Sequence, residues 1–229
     1  MANASTVGSA PDRDAPVLMD RSRVASRRGR VLMIVGPDGT GKTTLCNALE
    51  KHLSKHVPVR VLANRKGAES PALLPRRAPR GSTSAPHRHP AHPPLISFAK
   101  VLYSLVDFHL SWLVKIRPSV RRGQWVIVER GWWDMLVDPL RYRTRISARA
   151  ARVLARLMPR VSLVVVLEAP PEVITARKAQ LSSAELTRQM RGWREILPPV
   201  QRRLYLDTSA PVEDLVRTIS DAIAGEPHE

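Results

Sequence analysis

Eight consecutive residues, Gly36, Pro37, Asp38, Gly39, Thr40, Gly41, Lys42 and Thr43, follow the pattern G-x-x-x-x-G-K-[ST] without exception. The chemistry this spacing serves is phosphate binding. Glycines let the backbone fold around a phosphate so that successive N–H groups point at its oxygens, and a helix beginning at the loop's end adds favourable potential. In such a loop Lys42 reaches the β- and γ-phosphates of a nucleotide, and the Thr43 hydroxyl completes a Mg²⁺ shell. Thr44 follows at the helix start and is grouped with the nucleotide-contacting residues.

Phosphoryl transfer spreads negative charge over equatorial oxygens, so a site without covalent chemistry needs positioned cations. Arg130, after an apolar run, and Arg177, after a second one, are the candidates, with Glu129 beside the first. Asp134 and Asp138 follow Arg130 at four and eight residues and suit an acceptor hydroxyl or ion pairs with Arg141 and Arg143. Trp132 and Trp133 are adjacent, so in a helix they face different ways: one stacks on an acceptor or both pack. His87, His89 and His92 have metal-compatible spacing, but their surroundings are proline-rich and basic.

The elements that must position these groups alternate. Residues 31–35 (VLMIV) read as a strand buried on both faces, leading into the loop, and Leu45, Ala48, Leu49 and Leu53 give about three turns of helix after it. Residues 57–63, 125–129, 161–168 and 203–207 read as further strands. Helices are expected over 95–116, 148–158, from Pro171, from the capping box Ser182–Glu185, and over 211–224. Strands alternating with helices imply a parallel α/β sheet covered on both faces. Residues 64–94 break the pattern: seven prolines, six Lys or Arg and one acid predict a mobile basic insertion within a domain spanning 30–225. Residues 1–29 are expected to be a disordered basic tail, and 226–229 a second one.

Composition narrows the function. The chain has 229 residues, with 37 Lys+Arg against 20 Asp+Glu, so an anionic partner is expected, phosphate first. One cysteine, Cys46, excludes an internal disulfide framework and a Cys-based zinc site. No apolar stretch is long enough to span a bilayer, and no apolar run follows Met1 as a secretory core, so a cytoplasmic protein is expected. With two Phe and three Tyr, base-stacking surface is scarce, which disfavours a nucleic-acid-associated NTPase.

Several segments resemble one family. GPDGTGKTT is similar to the loop of thymidylate kinases, VIVERGWWD resembles their strand-ending Asp-Arg-Tyr motif, and VSLVVVLEAPPEVITARK resembles their strand leading into the lid helix. YLDTSAPVEDLV is similar to their final strand, adenine-side loop and last helix, and Asp138 to Arg143 matches a D-P-x-R-Y-R stretch of one branch. The resemblance implies a doubly wound P-loop kinase sheet of order 2-3-1-4-5. It also implies transfer of a phosphoryl group from ATP with Mg²⁺ to a small-molecule acceptor, thymidylate-type monophosphates first, with nucleosides or sugars as alternatives. By the same resemblance Arg177 opens a lid of about 177–194, Ser209 lies at the adenine, Thr43 and Glu129 hold Mg²⁺, and Arg65, Asp107, Trp132, Trp133 and Asp134 are acceptor-side candidates. A homodimer is left open. The chain departs from the family in carrying Glu129-Arg130-Gly131, closer to the Glu-Arg-Ser of deoxynucleoside kinases, and Asn64-Arg65-Lys66-Gly67 where an acidic-Pro-Gly motif is usual.

Overall fold

A computed structural model describes residues 29–63, 68–74, 87, 90–178 and 180–224. Five strands, β1 (Val31–Val35), β2 (Val59–Ala63), β3 (Trp125–Glu129), β4 (Leu163–Glu168) and β5 (Arg203–Asp207), form one all-parallel sheet in the order β2-β3-β1-β4-β5. This is the expected order. β1 lies centrally because every one of its residues is buried, which only a strand covered on both faces and paired on both edges tolerates.

The two-residue period of β1 divides the core. Leu32 and Ile34 face α1 (Lys42–Leu53) and the last helix, α8 (Val212–Ala224), in an almost wholly aliphatic cluster. Val31, Met33 and Val35 face the other way, into a cluster that holds Phe108, Trp132, Trp133 and Trp193. That second face is covered by α2 (Pro94–Ser111), α3 (Arg117–Arg121), α4 (Trp133–Val137), α5 (Ala148–Leu157) and α7 (Ser183–Ile196), while α6 (Pro171–Arg177) follows β4.

Local signals set most boundaries. Ser147 accepts a bond from the Ala150 N–H at 3.2 Å and Ser182 one from the Glu185 N–H at 3.3 Å, so both caps satisfy orphan donors. Pro171 occupies the first turn of α6. The helix expected over 95–116 is corrected: it ends at Ser111, passes through a π-helical turn (Trp112–Ile116), and resumes as α3. Pro118 explains this, because it lacks an N–H and crowds the preceding turn; the wider turn before it lets the Arg117 N–H reach Trp112 O instead.

Of the expected insertion, the described pieces are held by the domain. Ala63 N–H donates to Glu69 O at 2.8 Å, and the Arg60 guanidinium forks onto the Glu69 carboxylate at 2.9 and 2.6 Å. The remainder, with Arg65 and His89, lies outside the described residues, as do residues 1–28 and 225–229. Among the described residues no helix is long and apolar enough to cross a membrane.

Candidate active site

The phosphate loop joins β1 to α1, and two of its glycines show why the sequence needs them. Gly36 has φ 138°, and a Cβ there would stand 2.5 Å from Leu167 O on β4; Gly41, at φ 81°, meets no steric neighbour and is required by its left-handed backbone alone. α1 starts at Lys42 with no side-chain cap, so its first N–H groups remain for an anion. Asp38, Thr40 and Lys42 are buried, whereas Thr43 and Thr44 are exposed.

The Lys42 ammonium is folded back over the loop. Its Nζ donates to Gly36 O at 2.8 Å and Pro37 O at 2.5 Å and lies 3.6 Å from Asp38 Oδ1. Burial pulls its pKa down to about 8; Arg141 and Lys178 push the same way, while Asp134 and Glu129 oppose. At the carboxyl end of β3, Glu129 Oε1 accepts the Thr43 hydroxyl at 2.5 Å, so the two expected Mg²⁺ ligands, 86 positions apart, meet. A hydroxyl and a carboxylate side by side are hard oxygen donors of the kind Mg²⁺ takes, and the pair fits that ion.

Arg130 follows directly, with φ 61°, a left-handed backbone uncommon outside glycine. Its N–H donates to Ile34 O at 3.0 Å, and its guanidinium bonds to Asp38 and, at 3.2 Å, to Asp134 Oδ2. Asp38 also accepts Arg141 Nη1 at 2.6 Å, and Asp134 accepts the Tyr142 hydroxyl at 3.0 Å. Burial, reinforced by Asp134, drives the Tyr142 pKa far above its usual value, so its hydroxyl stays a donor. Arg141 and Tyr142, noted in the sequence as part of the D-P-x-R-Y-R stretch, are site residues that the motif reading did not bring to the phosphate loop. The signal available for them was the acid inside the phosphate loop: a buried Asp38 among phosphate-binding groups requires cations to hold it.

No family model matches the chain, and no curated protein matches it. Among solved structures it is similar to thymidylate kinase from Candida albicans, with a TM-score of 0.58 and 14% identity, covering 86% of this chain and 91% of that one. Thymidylate kinase from Ehrlichia chaffeensis is similar at a TM-score of 0.57 and 14% identity, covering 86% of this chain and 99% of that one. The chain has a thymidylate kinase-like P-loop kinase fold. In this kinase fold the loop, Glu129 and Arg130 lie together at the carboxyl ends of β1 and β3, where open parallel sheets place ligands.

Beside Arg130 the kinase fold encloses a cavity of about 50 Å³, lined among others by Asp107, Phe108, Arg130, Trp132, Met135 and Tyr142. This is well below the roughly 300–1,000 Å³ of small-molecule clefts, so a ligand of that size would enter only as side chains move. Asp107 is fully buried in its wall, where Oδ1 accepts the Leu73 and Leu74 N–H groups at 2.8 and 2.6 Å. Trp132 lines the cavity and stands nearly edge-on to Trp112, 6.4 Å between ring centroids. Trp133 belongs to the core, its Nε1 donating to Ala155 O at 3.3 Å.

The residues expected to form a lid go to different places. Arg177 bonds to Thr208 Oγ1 at 3.4 Å and Thr208 O at 3.3 Å, beside Ser209, whose N–H closes a turn onto Asp207 Oδ1 at 2.8 Å. Arg177 is therefore with the expected adenine-side loop. Lys178, next in the chain, packs on the phosphate loop: a Cβ at Gly39 would sit 3.3 Å from its own. Its pKa is lowered by burial, then by Arg130 and Arg141. Further along, Arg188 and Arg194 pair with Glu185 and Glu168. Of the three histidines, His87 Nε2 lies 2.8 Å from Asp138 Oδ1 and 4.0 Å from Glu185 Oε1, while Gln189 Nε2 donates to both carboxylates at 3.1 and 3.0 Å.

Proposed function

We propose that the protein transfers the γ-phosphoryl group of ATP to a small acceptor, a thymidylate-type nucleoside monophosphate. One observation carries this reading: Lys42, the Thr43–Glu129 pair and Arg130 converge on a single phosphate loop within a kinase fold. The loop N–H groups and Lys42 bind the donor phosphates, Lys42 leaving Gly36 O and Pro37 O to do so. Thr43 and Glu129 would hold Mg²⁺, which would supply charge neutralisation for the phosphoryl group in transfer. Arg130 is placed between loop and cavity, where a donor and an acceptor phosphate meet. An oxygen of the acceptor phosphate forms the new P–O bond as the bond from the γ-phosphorus to ADP breaks, so the side chains have only to position and neutralise. Arg177 and Ser209 are assigned to the nucleoside end of ATP, and Trp132, Asp134 and Asp107 to the acceptor cavity.

A nucleoside acceptor is the second reading, favoured by Glu129-Arg130-Gly131. A Cβ at Gly131 would stand 2.1 Å from Met33 Sδ, so the glycine is tied to this core and no aromatic side chain fits there. ADP release measured across nucleoside monophosphates, nucleosides, sugars and single-stranded DNA tests both. The expected result is the highest kcat/KM with a pyrimidine deoxynucleoside monophosphate. Turnover confined to nucleosides or sugars moves the acceptor assignment, and ADP release driven only by DNA overturns it.

A further inference from the structure

The stretch from Asp138 to Arg143 has no part in the reaction as described, yet it reaches the phosphate loop. It forms a tight turn: Asp138 Oδ1 accepts the Arg141 N–H at 3.2 Å, the Tyr142 and Thr144 N–H groups donate to Pro139 O at 3.1 and 2.9 Å, and Arg143 donates to Leu140 O at 2.9 Å with φ 55°. Three other parts of the chain hold the turn. Gln189 of α7 and His87 bond to the Asp138 carboxylate, which is 5% exposed, and Lys100 of α2 donates to Tyr142 O at 2.5 Å. A side chain carried on such a turn is placed with little conformational freedom left to lose.

That side chain is Arg141. Its Nη1 lies 2.6 Å from Asp38 Oδ2, while Arg130 holds Oδ1 of the same carboxylate. Asp38 is thus a buried anion between two guanidinium groups, 3.6 Å from Lys42 Nζ, at the middle of a loop whose backbone suits phosphate. Lys178 packs on the same loop, so four cations surround a space whose own acids are Asp38, Asp134 and Glu129. Positive charge gathered in surplus around a phosphate loop suits a further anion. Resting on the phosphoryl-transfer reading, we infer that Arg141 is a second phosphate clamp. It is parked on Asp38 in the free protein and passes to the equatorial oxygens of the transferred group as it moves from donor to acceptor, with Asp138 as its positioning residue. A guanidinium suits this role because its planar fork engages two oxygens at once, which an ammonium does not.

The test needs no identified acceptor. Calorimetry compares Mg²⁺·ADP with Mg²⁺·ADP plus tetrafluoroaluminate, a probe whose fluorines take the equatorial positions of the transferred group. Arg141→Ala is expected to weaken the fluoroaluminate complex by at least about 30-fold while changing Mg²⁺·ADP affinity less than about threefold, and Arg141→Lys to recover part of the loss. Asp38→Asn separates the clamp from a purely structural partner. If Arg141 only neutralises Asp38, its loss costs nothing in that background, and this result overturns the proposal. So does an equal effect of Arg141→Ala on both complexes, or none on either. If the wild-type protein gains no affinity from fluoroaluminate and Lys42→Met leaves Mg²⁺·ADP binding unchanged, the phosphoryl-transfer reading itself fails. A normal response to Lys42→Met with an unaffected Arg141→Ala removes only the clamp.

Discussion

The proposed donor side and the proposed acceptor side of this site are built by opposite means. On the donor side one continuous segment, Val31 to Leu53, supplies strand, loop and helix, and the backbone itself provides the binding groups. On the proposed acceptor side Asp107, the neighbouring Arg130 and Trp132, and Tyr142 come from three separate segments, and they line a small cavity. A ligand recognised by backbone N–H groups constrains a short sequence tightly. A ligand recognised by side chains gathered from three segments leaves each segment free to change, which is why the acceptor is the part of the reading that similarity at 14% identity carries least.

This contrast is tested most severely at Lys42. Lys42→Met should lower turnover by about 100- to 1,000-fold with every acceptor, because the donor half is common to all of them. An ADP-release panel in which the loss varied strongly with the acceptor would erase the division. Glu129→Gln should raise the Mg²⁺ concentration for half-maximal rate by about 10- to 100-fold, again independently of the acceptor, and a Mg²⁺ titration reads it.

On the acceptor side, Gly131→Ala drives a Cβ into Met33 at the centre of the aromatic cluster. The expected cost is about 1–3 kcal/mol in urea unfolding, with the Met33→Ala, Gly131→Ala double variant regaining part of it.

The smallest effect is a proton. Because the folded pKa of Lys42, about 8, lies below its ordinary 10.5, the unfolded chain binds more protons between those values. The burial penalty is therefore fully present below pH 8 and fades as pH rises toward 10.5. Phosphates entering the loop favour the charged form, so ATP binding near pH 9 should take up a fraction of one proton. Calorimetry in buffers of different ionisation enthalpy measures this uptake, and Lys42→Met should abolish it.

Pattern alone determined the sheet-forming runs, the phosphate loop with its glycines, the cap at Ser182, and the pairing of loop with helix. Each of these rests on interactions between residues close in sequence, where period, capping and turn chemistry act directly. Tertiary structure decided the rest. It brought Thr43 to Glu129 across 86 positions and Arg141 to Asp38 across 103, turned Arg177 to Thr208 and Lys178 to the loop, and buried both Trp132 and Trp133. The D-P-x-R-Y-R stretch marks Arg141 in the sequence, but nothing local pairs it with Asp38. A guanidinium acquires its role from the carboxylate it meets, and which carboxylate that is depends on how helices from distant parts of the sequence pack over one end of the sheet.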